Sequence, residues 1–112
     1  MNYYEIWCDL RDTSKDVEFC DAVSAYLGYL KDRGLLESFR IRRRKFGFAP
    51  DDWPEFNVSI AFEDLAQLDK AFMRAATRDP EVEPLHRAVY SAMTNGRFAL
   101  YRDFPDEVRV RA

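Results

Sequence analysis

Long apolar runs and histidines are scarce in this sequence of 112 residues. No apolar run approaches the ~20 residues that a membrane-spanning helix needs, so we expect no such helix. The first residues, MNYYEIWCDL, lack a basic segment followed by an apolar core, which predicts no secretory signal and a cytoplasmic location. Phosphate-loop, dinucleotide-binding and nucleophile-elbow motifs are also absent. Any imidazole chemistry therefore depends on the single histidine, His86.

Cysteine is also rare. Cys8 and Cys20 are the only two, which is too few for a disulfide framework, and their spacing is not that of metal ligands. Both fall on positions predicted to face the core, so we expect two buried, unreactive thiols. No metal site and no cofactor are predicted.

The composition is that of one globular domain, with 47% apolar and 33% charged residues. The net charge is −3, yet five basic residues occur within six positions, a stretch that we call the basic segment. Without them, 12 basic residues remain against 20 acidic ones. A local charge asymmetry of this kind can indicate a partner, but an acidic domain is a poor candidate for nucleic-acid binding. The basic segment consists of Arg40, Arg42, Arg43, Arg44 and Lys45.

Alternation of apolar and polar residues predicts four strands, at Tyr3–Leu10, Ser38–Phe48, Glu55–Phe62 and Arg97–Phe104. The dipeptide Asn95-Gly96 is expected to form the turn that precedes the last strand.

Helical spacing of apolar residues predicts two helices. The first helix begins at Thr13, which together with Asp16 resembles a capping box. Its apolar stripe consists of Val17, Cys20, Val23, Leu27 and Leu30. Asp64 caps the second. That helix is interrupted at residues 78–80 and resumes to about residue 93. Its first part has the stripe Leu65, Leu68, Phe72 and Ala75.

The resulting order, β-α-β-β-α-β, is that of a ferredoxin-like α+β fold, with a four-stranded antiparallel sheet, both helices on one face and the second helix split. We predict a single domain over residues 1–112, with a core at 3–104. The polar tail at 105–112 is expected to be loose or paired with another chain.

Alternation also sorts the strand residues into two faces. One set is almost uniformly apolar and is predicted to face the helices: Tyr4, Ile6, Cys8, Phe39, Ile41, Phe56, Val58, Ile60, Phe98 and Leu100. The opposite side, which we call the outer face, mixes polar and aromatic residues: Glu5, Trp7, Asp9, Arg40, Arg42, Arg44, Glu55, Asn57, Ser59, Arg97, Tyr101 and Asp103. Left open to water it would be an unusual surface, so we predict a two-fold homodimer that covers it.

The outer face is also the predicted ligand site, because aromatic walls with a few donors and acceptors suit a small molecule. Its arginines have a second interpretation, in which they form cross-strand ion pairs and protect a sheet edge from aggregation. Its aromatic residues also have a second interpretation, in which they pack at the dimer interface. The predicted ligand-binding residues are Trp7, Arg40, Arg42, Arg44, Asn57 and Ser59.

Nearly the whole chain resembles the dimeric α+β barrel superfamily, which includes stress-responsive barrel proteins and the antibiotic-biosynthesis and haem-degrading monooxygenases. The segments YEIWCDLRDTSKDVEFCDAVSAYLGYL, EFNVSIAFEDLAQLDKAF and FALYRDFPD are similar to a small set of bacterial ferredoxin-like proteins of unknown function. The resemblance implies a homodimer with a ligand between sheet and helices or at the dimer cleft. It implies no particular activity.

The segment DPEVEPLH, which ends at His86, resembles the stretch of the monooxygenases that carries the iron-binding histidine of the haem degraders. Those enzymes add an asparagine on the first strand and a tryptophan on the second helix. Here Trp7 occupies the strand position and residues 65–76 contain no tryptophan, so the resemblance does not extend to haem.

Three functions remain open from the sequence. The first is binding of a small polar or aromatic ligand. The second is a cofactor-independent enzyme, monooxygenase-like or isomerase-like, in which His86 or Tyr101 moves a proton and Arg42 stabilises negative charge. This requires His86 to line one cavity with Trp7 or Asn57. The third is RNA binding on the open sheet, with Trp7 as a stacking residue.

Overall fold

The four strands form one antiparallel sheet in the order β2-β3-β1-β4 in a computed structural model, which describes residues 1–106. The predicted ferredoxin-like fold, with the first and third strands central, is confirmed. Residues 107–112, most of the predicted tail, lie outside the described part. The strands are β1 (Asn2–Leu10), β2 (Ser38–Arg43), β3 (Phe56–Phe62) and β4 (Met93–Arg102).

Three helices accompany the sheet: α1 (Asp16–Asp32), α2 (Leu65–Ala76) and α3 (Glu83–Tyr90). The break between α2 and α3 confirms the predicted split of the second helix. Within residues 1–106, no helix combines the length and the apolar character needed to cross a membrane.

The start of α1 differs from the prediction. A short 3₁₀ turn, Thr13–Lys15, precedes the helix, and the capping residue is Asp12 rather than Thr13. The Asp12 carboxylate accepts hydrogen bonds from the backbone N and the Oγ of Ser14, at 3.0 and 2.6 Å, and these bonds lower the pKa of Asp12. A carboxylate at this position satisfies N–H groups that have no intrahelical partner. Asp64 caps α2 as predicted, since its side chain accepts from the backbone N of Gln67 at 2.8 Å.

The face of α1 that meets the sheet is rotated from the predicted stripe. Val17 is 69% exposed and Cys20 is exposed, whereas Phe19 is buried. The buried residues of α1 recur at intervals of four, four and three, which places them on one side of a helix. The prediction that Cys20 is a core thiol is therefore wrong, while Cys8 is fully buried and burial raises the pKa of its thiol to about 11. The four buried residues of α1 are Phe19, Val23, Leu27 and Leu30.

Two strand boundaries also differ. Strand β2 ends at Arg43 instead of Phe48, so Arg44 belongs to the following loop. Strand β4 already begins at Met93, which places Asn95-Gly96 inside the strand instead of in a turn before it. The pairing of β4 with β1 is irregular at this point, and the positive φ of Asn95 (52°) accommodates the irregularity. The shorter α3, which ends at Tyr90, makes room for the longer strand.

Helix α2 packs on the sheet through small residues. Of its 12 residues only Ala71 is buried, but the half-buried Ala75 and the exposed Ala76 also border the space between helix and sheet. Larger side chains at these positions would reach the sheet, but alanine methyl groups leave a gap. This gap has a volume of about 520 Å³.

Candidate functional site

A cavity of about 520 Å³, which we call the apolar cavity, lies between the helix-facing side of the sheet and the three helices. Its floor is formed by side chains from the central strands, including Ile6, Val58 and Ile60. Helix α1 contributes one wall, with Val23 and Leu27 among its lining residues. The predicted helix-facing strand residues thus supply much of the lining.

The polar groups of the apolar cavity are an imidazole and tyrosine hydroxyls. The His86 ring lies between Tyr26 and Tyr90, with ring centroids 5.2 and 4.9 Å away. Burial lowers the pKa of His86, although the charge of Glu83 opposes this, so the neutral imidazole is the favoured form near pH 7. Burial also raises the pKa of Tyr26 to about 12 and raises that of Tyr4. The cavity can therefore offer hydroxyl donors and a neutral imidazole acceptor.

No lysine, arginine, aspartate or glutamate of residues 1–106 lines the apolar cavity. Transfer of a charged group into such surroundings costs several kcal/mol unless a partner compensates it. The geometry thus favours neutral occupants.

Aromatic side chains surround the mouth of the apolar cavity. Tyr4 contacts Phe72 of α2 edge-on at 5.2 Å and stacks on Phe98 of β4 at 6.1 Å between ring centroids. Phe98 is 57% exposed because β4 is an edge strand that the helices do not cover. Its ring also lies 3.1 Å from where a Cβ of residue 96 would stand, so Gly96 permits this ring position.

On the outer face, Glu5 is the centre of a polar network that joins three strands. Its carboxylate accepts hydrogen bonds from the Ser59 hydroxyl and, at 3.3 Å, from the Asn57 amide, and it pairs with Arg42 at 3.6 Å. Arg42 also donates to the Asn57 Oδ1 atom through Nε and Nη2, at 3.0 and 2.7 Å. These contacts fit the interpretation of the arginines as cross-strand partners.

A second, smaller cavity of about 230 Å³ opens on the outer face, and we call it the tryptophan pocket. Four of the predicted ligand-binding residues line it together: Trp7, Arg42, Arg44 and Asn57. The other two, Arg40 and Ser59, line a neighbouring depression of about 270 Å³.

The predicted proton-transfer residues are not brought together. His86 lines the apolar cavity, whereas Tyr101 lies opposite Tyr3 on the outer face and is 57% exposed. The sheet also separates His86 from Trp7, Asn57 and Arg42, because these three residues lie on the outer face. The predicted shared site is therefore wrong as a geometric arrangement, and the individual roles of His86 and Tyr101 stay predictions.

The sequence interpretation missed Tyr26 and Tyr90 as neighbours of His86, and Glu5 as the network centre. The spacing of Tyr90 four residues after His86 was a usable signal, since such pairs meet on a helix. The contact with Tyr26 depends on how α1 and α3 pack, which no local pattern encodes. Glu5 was visible on the outer face, but its burial follows from the neighbouring strands.

The outer face gives little support to RNA stacking. Trp7 meets Trp53 edge-on, with ring centroids 5.5 Å apart and planes at 64°. Asn57 and Ser59 are engaged by Arg42 and Glu5. A stacking platform needs aromatic faces that are open to bases.

Solved structures share this fold at low sequence identity. A dimeric ferredoxin-like protein of unknown function from Jannaschia sp. CCS1 is 13% identical, with 91% of this chain and 98% of that chain covered and a TM-score of 0.67. A dabb family protein with a ferredoxin-like fold from Mesorhizobium loti is 16% identical, with 92% and 96% covered and a TM-score of 0.64. A Nitrosomonas europaea protein, described provisionally as an antibiotic biosynthesis monooxygenase, is 14% identical, with 93% and 99% covered and a TM-score of 0.61. These likenesses establish the fold alone.

Among curated proteins nothing matches the sequence. Among protein families, the one described as "Family of unknown function (DUF6614)" matches residues 1–112.

Proposed function

The chain belongs to a family of unknown function, DUF6614, and we propose from its geometry that it binds a small, neutral, largely aromatic ligand in the apolar cavity. The observation that carries this proposal is the volume of about 520 Å³ between sheet and helices. Sites for small molecules commonly have volumes of about 300–1,000 Å³ and a mostly apolar lining with a few polar groups.

The lining defines the chemistry of the ligand. Its body is apolar, because aliphatic and aromatic side chains form most of the wall. A hydroxyl or carbonyl group on the ligand can meet the Tyr26 hydroxyl or the neutral imidazole of His86. Among residues 1–106, no cationic side chain lines the cavity to pair with a carboxylate. This refines the sequence expectation of a polar or aromatic ligand toward a neutral aromatic one.

Calorimetric titration with 1-naphthol tests the proposal. We expect saturable binding of 1-naphthol and much weaker binding of 1-naphthoate, whose carboxylate has no partner in the cavity. Ala75→Phe places a ring in the cavity and is expected to weaken naphthol binding about tenfold or more, since it removes apolar burial worth more than 1 kcal/mol. Ala66→Phe, on the exposed side of the same helix, is the matched control. Equal binding by the two variants, or none by the unaltered protein, would contradict the proposal.

We also infer a homodimer in which two outer faces meet. The support is the exposed Tyr101 beside Tyr3 on a face whose central aromatic residue, Trp7, is only partly covered. An aromatic sheet surface of this kind is typical of an interface. The related Jannaschia structure is described as dimeric, which adds to this support.

A second candidate function is a cofactor-independent enzyme of proton transfer. One observation favours it: a neutral imidazole, that of His86, lies between two tyrosine rings in the lining of the apolar cavity. A base of this kind can take a proton next to a ligand carbonyl, while a protonated tyrosine donates to the carbonyl oxygen. The provisional monooxygenase description of the Nitrosomonas structure is compatible with chemistry in this fold.

Uptake of solvent deuterium distinguishes this enzyme from a simple binding protein. In D₂O, 2-tetralone is expected to exchange the protons beside its carbonyl faster with the protein than in buffer, as followed by proton NMR. His86→Gln should remove the acceleration while 1-naphthol binding persists. Exchange at the buffer rate with the unaltered protein would leave binding alone as the function.

A further inference from the structure

The tryptophan pocket is separate from the apolar cavity and lies on the other side of the sheet. The two tryptophans of the chain, Trp7 and Trp53, both line it. Trp7 comes from the centre of the sheet, and Trp53 from the loop that joins β2 and β3. Their edge-on contact fixes two indole surfaces next to one small space.

The arginines around the tryptophan pocket differ in how their charge is balanced. Arg42 pairs with Glu5, whose side chain is 12% exposed. Arg43 pairs with Glu55 at 2.8 Å and with Asp16 at 3.0 Å. The charges of these two guanidinium groups are therefore offset by carboxylates within the protein.

Arg44 is different. Its Nη1 atom donates to the backbone oxygen of Trp53 at 2.6 Å, and no carboxylate of residues 1–106 lies within ion-pair distance of it. A guanidinium group has five N–H donors, so most of those of Arg44 remain for another acceptor. The pocket consequently combines aromatic walls with a guanidinium group that forms no ion pair within residues 1–106. Glu55, which is paired with Arg43, also lines the pocket, and Asp9, Asp51 and Asp52 border a neighbouring depression together with Arg44.

A second cation reinforces the aromatic wall. The guanidinium of Arg97 lies 5.0 Å from the centroid of the Trp53 ring, and its Nη2 atom donates to the backbone oxygen of Asp52 at 3.2 Å. Within residues 1–106 it has no carboxylate partner either. The hydrogen bonds of Arg44 and Arg97 to successive carbonyls hold the Trp53 loop against the sheet.

We propose that the tryptophan pocket binds a single-ring aromatic carboxylate. A volume of about 230 Å³, less than half that of the apolar cavity, is ample for one ring with its carboxylate. The ring contacts the indoles of Trp7 and Trp53, and the carboxylate accepts hydrogen bonds from Arg44, which suits the planar fork of a guanidinium group. Asn57 acts as a positioning residue, because its amide is fully used by Arg42, Glu5 and the Ile6 carbonyl.

This site and the apolar cavity would select opposite ligands, one charged and one neutral. The pocket lies at the end of the sheet next to the β2–β3 loop, so pairing of two outer faces would make it part of the cleft between two copies. The proposal does not depend on a ligand in the apolar cavity.

Indole N–H signals test the proposal directly, because the only two tryptophans line the pocket. In ¹H–¹⁵N NMR spectra, we expect benzoate to shift both indole signals saturably at millimolar concentrations. Benzyl alcohol, which has the ring without the charge, and acetate, which has the charge without the ring, should each bind at least about tenfold more weakly.

Variants complete the test. Arg44→Gln is expected to raise the benzoate dissociation constant about tenfold, the size of a lost charge-assisted hydrogen bond. Arg40→Gln, a change of the same type on β2 outside the pocket, and Ala75→Phe in the apolar cavity should leave benzoate binding unchanged. An unchanged far-ultraviolet circular dichroism spectrum and unchanged amide signals of α1 would show that Arg44→Gln is folded.

Four results would overturn the proposal: no benzoate shift, equal shifts with acetate, equal shifts with benzyl alcohol, or unchanged benzoate binding by Arg44→Gln. A fifth result, loss of benzoate binding in Ala75→Phe, would indicate that benzoate binds in the apolar cavity and would also overturn the proposal. Failure of 1-naphthol binding would affect the proposed function only.

Discussion

Replacing Phe19 with alanine is expected to lower the free energy of unfolding by about 3–5 kcal/mol, the usual cost of truncating a buried phenylalanine. Phe19 is 2% exposed, and its ring packs on Phe56 with centroids 5.6 Å apart. Truncation removes this aromatic contact and leaves a void between α1 and the sheet. Urea denaturation followed by circular dichroism measures the loss.

Val17→Ala provides the matched control for this prediction. Val17 lies two residues earlier on the same helix and is 69% exposed, so its truncation should change the free energy of unfolding by no more than about 0.5 kcal/mol. Similar losses for the two variants would show that the face of α1 assigned to the core is incorrect.

Tyr101→Asp is expected to turn a dimer into a monomer. Sedimentation velocity should give the unaltered protein twice the 13.2 kDa mass of one chain. An aspartate at this position of the outer face would have to leave water on pairing, and burial of an unpaired carboxylate costs several kcal/mol. That cost is enough to shift a dissociation constant by more than a hundredfold.

The control for the dimer is Ser24→Asp, which adds the same charge to the exposed side of α1, on the opposite side of the sheet. It should remain a dimer. A single-chain mass for the unaltered protein at high micromolar concentration, or a dimeric Tyr101→Asp variant, would contradict pairing through the outer face.

The sheet was largely predictable from the sequence, because alternation depends only on neighbouring residues. The predicted helix-facing residues, such as Tyr4 and Val58, occur as partners on one face in the observed register or line the apolar cavity. The start of α1 was less predictable. Val17 and Cys20 have suitable spacing, and the choice between them and Phe19 depends on the rotation that the preceding 3₁₀ turn imposes.

Asn95-Gly96 shows a second limit. This dipeptide is a strong turn signal in isolation. In the folded chain it lies within β4, where a positive φ is needed for an irregularity in the pairing with β1. The predicted turn before β4 is therefore wrong, because the place of the dipeptide in the topology depends on the partner strand.

The candidate sites were only partly predictable. Residues of the tryptophan pocket share the outer face, so alternation could group them. The apolar cavity arises from the distance between α2 and the sheet, and this distance depends on packing across the whole domain. His86 stands out in the sequence because it is the only histidine. Its position in the lining of the apolar cavity depends on how the helices pack on the sheet.

The alanines of α2 affect the width of the apolar cavity more than the stability of the core. Helix α1 contributes large buried side chains, including Phe19 and Leu27, to the core. The width of the internal chamber is set by Ala71, Ala75 and Ala76, which contribute little to cohesion. We therefore expect exchanges at these three positions to change the size of the ligand that the apolar cavity admits, with less effect on the packing of α1 against the sheet.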